Sequence, residues 1–128
     1  MAISMLAGPA LAEAVLPIGG AFGNEAGCGF FMTGEMDDDG LAVITPDTFT
    51  SFATGCVFET IVSNSKGAFE LDAACQSEGE QDGFTDRLSV VDRGRDGVFV
   101  ALETVGDWGP LFRCPGTEGL FEAPGVAV

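Results

Sequence analysis

The segment CVFETIVSNSKGAFELDAAC, residues 56–75, has the pattern of a β-hairpin with a cysteine at each outer end. In its second half, Phe69, Leu71 and Ala73 alternate with acidic residues, which is the period-two pattern of a half-buried strand. The first half is rich in β-branched and aromatic residues, which are enriched in strands. We therefore predict two antiparallel strands joined by a turn at residues 64–67, where Asn and Gly are typical turn residues.

The register of this hairpin follows from the centre of its turn. With Asn64 opposite Gly67, Val62 faces Phe69 on the buried face, and the two cysteines of the segment face each other. Opposed Cβ atoms in an antiparallel pair lie about 4.5–5.5 Å apart, and a disulfide needs about 3.5–4.5 Å. A disulfide between the two opposed cysteines therefore closes with little change of the backbone.

The chain has four cysteines, which allow three pairings. The hairpin register favours Cys56–Cys75, and this leaves Cys28–Cys114 as the second disulfide. We expect the second disulfide to connect the first strand to the last, because a strand is predicted at residues 28–32 and another at 111–114.

A second hairpin is predicted from residues 85–92 and 98–104, where apolar side chains alternate on both sides of a Gly-rich turn. A further short strand is predicted at residues 41–45, before Pro46. Many short strands separated by turns are typical of all-β domains. We predict a mainly antiparallel β-barrel or β-sandwich of about six to eight strands that carries two disulfides.

The 128 residues are expected to form one domain with flanking segments. Residues 1–12 resemble the end of a signal peptide, because they are small and apolar and finish in Ala10-Leu11-Ala12; the alternative is a short helix of the fold. An extended lead-in over 13–27, a β domain over 28–115 and a Gly/Pro-rich tail over 116–128 complete the division. Export and disulfides together predict a periplasmic or secreted protein.

The net charge is −15, from 20 acidic and five basic residues. A surface of this charge repels phosphate backbones and anionic lipids, so neither nucleic acid nor a membrane is an expected partner. A basic protein or envelope component would be attracted and steered. The alternative is that the acidic surface serves solubility alone.

Several kinds of chemistry are disfavoured by composition. The chain has no histidine, which excludes Ser–His–Asp and Cys–His catalytic systems and the usual nitrogen ligand of zinc. The run Asp37-Asp38-Asp39-Gly40 lacks the alternating acids of an EF-hand loop, so we predict a turn and no metal or other cofactor. A pair of carboxylates, as in glycoside hydrolysis, is compatible with a composition that includes 20 acidic residues.

The candidate binding residues are the single tryptophan and two acidic loops. Trp108 lies between glycines, where an exposed indole would serve as a binding anchor; the alternative is a tryptophan that caps the core. The acidic candidates are Asp37, Asp38 and Asp39 in one loop and Glu78, Glu80 and Asp82 in the other.

These features favour a binding or inhibitor-type module and not an enzyme. In architecture, the predicted domain resembles small disulfide-linked β proteins of the bacterial envelope, which include inhibitors of lysozyme. Lysozymes are typically basic, and this chain is strongly acidic. The alternatives are a small carboxylate-dependent hydrolase and a structural envelope protein without a ligand.

Overall fold

A computed structural model of the protein describes residues 15–36 and 39–117. The predicted signal segment 1–12, two residues of the first acidic loop (Asp37 and Asp38) and nearly all of the tail lie outside these described residues.

Eight antiparallel strands form a closed barrel in chain order. Each strand pairs with its neighbours in the sequence, and the first strand also pairs with the last. The prediction of an antiparallel all-β domain is confirmed, and the architecture is a barrel. The strands are β1 (Phe22–Gly23), β2 (Ala42–Ile44), β3 (Thr48–Ser51), β4 (Thr54–Ser65), β5 (Ala68–Ser77), β6 (Phe84–Asp92), β7 (Val98–Leu102) and β8 (Gly106–Arg113).

The core fills the inside of the barrel, because alternate side chains of each strand point inward. Phe49 and Phe58 are its largest fully buried members. Leu16 and Ile18, from the segment before β1, are also buried in this core. Full burial of a large apolar side chain stabilises a fold by about 1.5–3 kcal/mol, so this segment is an integral part of the domain.

The central hairpin consists of β4 and β5, and Cys56 lies opposite Cys75 as predicted. The register near the turn was predicted wrongly, because Lys66 and Gly67 form a two-residue turn. Two irregularities, between Phe58 and Thr60 and between Ile61 and Ser63, shift the pairing by one residue each. Together they shift the pairing by two residues. Because side chains alternate between the two faces of a strand, a shift of two residues restores the predicted pairing and the inward-facing pattern at the cysteine end.

The two bulges change which residue of β4 supports the core. Val62 was predicted to face inward opposite Phe69, but its side chain is 49% exposed. Ile61 is half-buried and packs against the core instead. At each bulge, two residues of β4 lie opposite one residue of β5. The strict alternation of side chains assumed for β4 therefore does not hold in this part of the strand.

A helix, α1 (Glu25–Thr33), occupies the region where a strand was predicted at residues 28–32. The Asn24 side chain caps it by accepting a hydrogen bond from the Gly27 amide, and Gly34 ends it with a φ of 84°. The helix lies against β2 at Gly27, where a Cβ atom would come within 1.9 Å of the Ala42 carbonyl oxygen.

Both predicted disulfides are confirmed, at Cys28–Cys114 and Cys56–Cys75. Cys28 lies on α1, so its disulfide connects this helix to the end of β8 and not the first strand to the last. Phe30 and Phe31 of α1 cover a second small core on the outer side of the barrel, built from Ala21, Val43 and Cys114. The helix therefore reinforces the wall where the short β1 closes the barrel.

The two disulfides are typical of an oxidising, extracytoplasmic environment. Within residues 15–36 and 39–117, no helix has both the length and the apolar character needed to cross a membrane.

Candidate functional site

Strand order places the two predicted acidic loops at the same end of the barrel. Consecutive strands are antiparallel, so the connections β1–β2, β3–β4, β5–β6 and β7–β8 share one end. Asp39 follows α1 in the first of these connections, and Glu78, Glu80 and Asp82 lie in the third. We call this end of the molecule the acidic end.

The described residues of these four connections include carboxylates and no lysine or arginine. Four of the five basic residues lie towards the opposite end, in or next to its connections. The charge is therefore distributed unevenly along the barrel axis. The carboxylates of the acidic end are Glu25, Glu35, Asp39, Glu78, Glu80, Asp82 and Glu103, and the four bases are Lys66, Arg93, Arg95 and Arg113.

Apolar side chains are exposed among these acidic loops, with Phe52 and Met36 beside the hollow described below and Met32 and Val105 elsewhere in the same connections. Phe52 is 41% exposed in the two-residue turn between β3 and β4, and Met36 is 39% exposed after α1. A shallow hollow of about 340 Å³ lies beside them, bordered by Met36, Ala53 and Glu78 among others. The acidic end thus presents apolar surface surrounded by negative charge.

The Phe52 turn is held firmly by its neighbours. The Glu78 amide donates a hydrogen bond of 2.7 Å to the Ala53 carbonyl oxygen, and the hydroxyl groups of Thr54 and Ser77 lie 3.1 Å apart. Thr54 is buried, which places the base of the turn inside the protein. The Phe52 side chain is therefore presented on a fixed support.

Trp108 lies on β8, and its ring packs inward against the core. The ring centroids of Trp108 and Phe49 are 5.0 Å apart. The side chain is half-buried, which is the position expected of a tryptophan that covers the barrel core. The most exposed aromatic side chain among the acidic loops is Phe52.

Asp86 is the buried carboxylate of the described residues. Its oxygens accept hydrogen bonds from the backbone amides of Arg87 and Thr104 and from the Thr104 hydroxyl, at 2.9–3.1 Å. These contacts hold the β7–β8 connection against β6. Asp86 is thus engaged in supporting a loop, as buried carboxylates are when their hydrogen bonds are satisfied.

Arg87 makes both salt bridges of the described residues, at 2.8 Å to Asp72 and 3.8 Å to Glu70. The hydrogen bond to Asp72 and its charge raise the pKa of Arg87 above the ordinary value. The three side chains lie on the outer wall and are partly exposed, so their mutual stabilisation is small. No carboxylate in the described part of the acidic end forms an ion pair with a cation.

Phe52 and Met36 were not identified as candidates from the sequence. A phenylalanine in a two-residue turn between alternating strands is a signal for an exposed aromatic residue, since turn positions face solvent. That signal was hidden because the limits of β3 and β4 are not visible in the sequence around residues 48–56.

Comparison with known proteins yields no match to any protein-family model, curated protein or solved structure. No group of three or more potential metal-binding side chains comes together in residues 15–36 and 39–117.

Proposed function

We propose that the protein is a periplasmic or secreted binding module, of the inhibitor type, whose acidic end docks onto a basic protein. The observation that carries this proposal is the combination of uncompensated carboxylates with the exposed side chains of Phe52 and Met36 at one end of the barrel. An apolar centre with a charged rim is the usual anatomy of a protein interface.

The carboxylates and the apolar residues have different roles in this interaction. Long-range attraction between the acidic end and a basic surface accelerates association and excludes acidic partners. Burial of the Phe52 ring in a pocket of the partner supplies affinity, because aromatic residues near the centre of an interface contribute most to binding. Charge therefore governs the association rate and Phe52 governs the dissociation rate.

The support of the Phe52 turn lowers the cost of binding. Side chains and loops that become ordered on association reduce affinity, so a loop that is already fixed binds more tightly. The hydrogen bond from Glu78 to Ala53 and the Cys56–Cys75 disulfide of the adjoining strands both restrict this region before any partner arrives.

The proposed activity is non-catalytic. The chain contains no histidine, and the buried carboxylate Asp86 is engaged in structural hydrogen bonds. No arrangement of the described residues favours the alternative of a carboxylate-dependent hydrolase, and a purely structural role is one outcome of the experiment below.

Capture on the immobilised, oxidised protein tests the proposal. The probes are a basic lysozyme and an extract of the native envelope, applied at low and at physiological salt, with an acidic protein as the negative probe. We expect a basic protein to be retained and to elute as salt rises, because screening weakens attraction between exposed charges. Retention of nothing at low salt would contradict the proposal and leave the structural role.

Matched variants then locate the binding surface. Glu78→Gln with Glu80→Gln removes two exposed charges from the acidic end, and Glu59→Gln with Asp96→Asn removes two exposed charges elsewhere. We expect only the first pair to slow association, and Phe52→Ser to accelerate dissociation. Equal effects of the two charge pairs would show that net charge alone, and not the acidic end, determines binding.

A further inference from the structure

An open groove of about 430 Å³ lies on the outer wall of the barrel. It crosses β6, β7 and β8, and two of its residues, Ala101 and Asp107, lie next to the β7–β8 connection. This volume is within the range of small-molecule sites, about 300–1,000 Å³. Its lining residues include Ser89, Val91, Phe99, Ala101, Asp107 and Gly109.

Strand register explains the shape of the groove. Ala101 of β7 pairs with Ser89 on one side and with Asp107 on the other, so the three side chains form one row on the outer face. Val91 and Phe99 pair in the next row. Because Ala101 is small and its neighbours are larger, its position is the floor of the groove.

Gly109 fixes the wall formed by Phe99. A Cβ atom at Gly109 would lie 2.4 Å from the Phe99 ring, so the ring packs directly on the glycine backbone. The Arg93 guanidinium lies over the same ring, 5.6 Å from its centroid. The groove therefore has a fixed aromatic wall beside an alanine floor.

The two carboxylates near the groove differ in whether they already have a partner. Asp107 is exposed and makes no ion pair in the described part of the chain. Glu70, on the far side of Ser89, accepts a hydrogen bond of 2.7 Å from the Ser89 hydroxyl and lies 3.8 Å from Arg87. Asp107 is thus the free carboxylate that a bound cation would meet.

We propose that this groove binds a small organic amine with a flat apolar body, an arylalkylamine in chemical class. The apolar body lies over Ala101 against the adjacent row of Val91 and Phe99, and the ammonium group pairs with Asp107. Contact with the aromatic wall and the apolar floor supplies affinity, and the carboxylate supplies selectivity for positive charge. The groove shares no lining residue with Phe52, Met36 or the carboxylates of the acidic end, so this proposal does not depend on the proposed protein partner.

Three probes of matched shape test the proposal: 2-phenylethylamine, 2-phenylethanol and phenylacetate. Binding is followed by the amide NMR signals of Ala101 and Phe99 and by the emission of Trp108, the single tryptophan, which borders the groove on β8. We expect the amine to bind more tightly than the alcohol and the carboxylate to bind least. Equal affinities, or no shift of the groove amides with the amine, would overturn the proposal.

Two variants separate the groove from general electrostatics. We expect Asp107→Asn to weaken amine binding about two- to fivefold, as removal of an exposed ion pair does, and to leave alcohol binding unchanged. Glu59→Gln, which removes one exposed charge outside the groove, should leave both unchanged. Ala101→Phe fills the floor and should abolish binding of both probes, and equal loss with Asp107→Asn and Glu59→Gln would refute a specific site.

Discussion

Lys66 and Gly67 both adopt positive φ angles, 47° and 86°, in the two-residue turn between β4 and β5. A left-handed conformation is unfavourable for most L-residues, whereas asparagine tolerates it and Asn-Gly is the preferred pair for such turns. We expect Lys66→Asn to raise the free energy of unfolding by about 0.5–1 kcal/mol. Urea denaturation measures the change. Lys66→Val should lower the free energy of unfolding, because a β-branched residue is disfavoured at positive φ.

Asp86 supports the β7–β8 connection through its hydrogen bonds with Thr104. Asp86→Ala leaves the Thr104 amide and hydroxyl without their acceptor, and we expect it to lower the free energy of unfolding by about 2 kcal/mol. Thr104→Val removes only the hydroxyl donor, so a loss of about 1 kcal/mol is expected. Thermal or urea unfolding of both variants provides the comparison. A neutral Asp86→Ala would contradict the role assigned to this carboxylate.

The two glycines within α1 have opposite roles, although an isolated helix would gain stability from alanine at either. A Cβ atom added at Gly27 would come within 1.9 Å of the Ala42 carbonyl oxygen. A Cβ atom added at Gly29 would have no atom from another part of the protein within 4 Å. We expect Gly29→Ala to stabilise the protein by about 0.5–1 kcal/mol and Gly27→Ala to destabilise it by more than that. Stabilisation by both substitutions would show that α1 does not pack closely on β2.

The disulfides restrain the elements of the fold to different extents. Cys28–Cys114 spans 86 residues and Cys56–Cys75 spans 19. In the chain-entropy model, these separations correspond to roughly 4.5 and 3 kcal/mol of stabilisation. We therefore expect the Cys28→Ala/Cys114→Ala pair to lower stability more than the Cys56→Ala/Cys75→Ala pair, as measured by urea denaturation. The reverse order would indicate that the hairpin contributes more than chain entropy predicts.

The cysteine arrangement and both hairpins were predictable from the sequence, because alternation and turn residues are local signals. The helix α1 was not predicted. Its two glycines and two adjacent phenylalanines have low helix propensity, and this hid the helix signal of its capping residues, Asn24 and Gly34. Contact with β2 and the Cys28–Cys114 disulfide stabilise the helix, and neither is visible in the local pattern. The bulges of β4 likewise depend on the turn at Lys66 and on the pairing with β5.

At the scale of the molecule, the acidic character was evident from composition, but its location was not. The carboxylates of residues 78–82 and Asp39 are far apart in the sequence, and only the alternating strand order brings their loops to one end. Phe52 reaches the same end because its turn connects β3 and β4. The candidate surface is therefore a consequence of topology, and no local motif marks it.

A net charge of −15 on 128 residues also affects stability as a whole. Like charges are closer together in the folded chain than in the unfolded chain, so their repulsion destabilises the compact state. Raising NaCl from about 0.01 M to about 0.15 M shortens the screening length from about 30 Å to about 8 Å. We expect the free energy of unfolding to rise on the order of 1 kcal/mol over this range, as measured by urea titration at each salt concentration.

The variant Glu78→Gln/Glu80→Gln provides the control for this salt effect. It removes two carboxylates from a region without a described cation, so it should be more stable than the native chain at low salt and less sensitive to added NaCl. Glu59 and Asp96 lie nearer to the basic residues, so the Glu59→Gln/Asp96→Asn variant should gain less stability at low salt. Equal stability of the native protein at all salt concentrations would mean that the repulsion among the carboxylates of the acidic end is weak. The same charges would then be too weak to steer a basic partner.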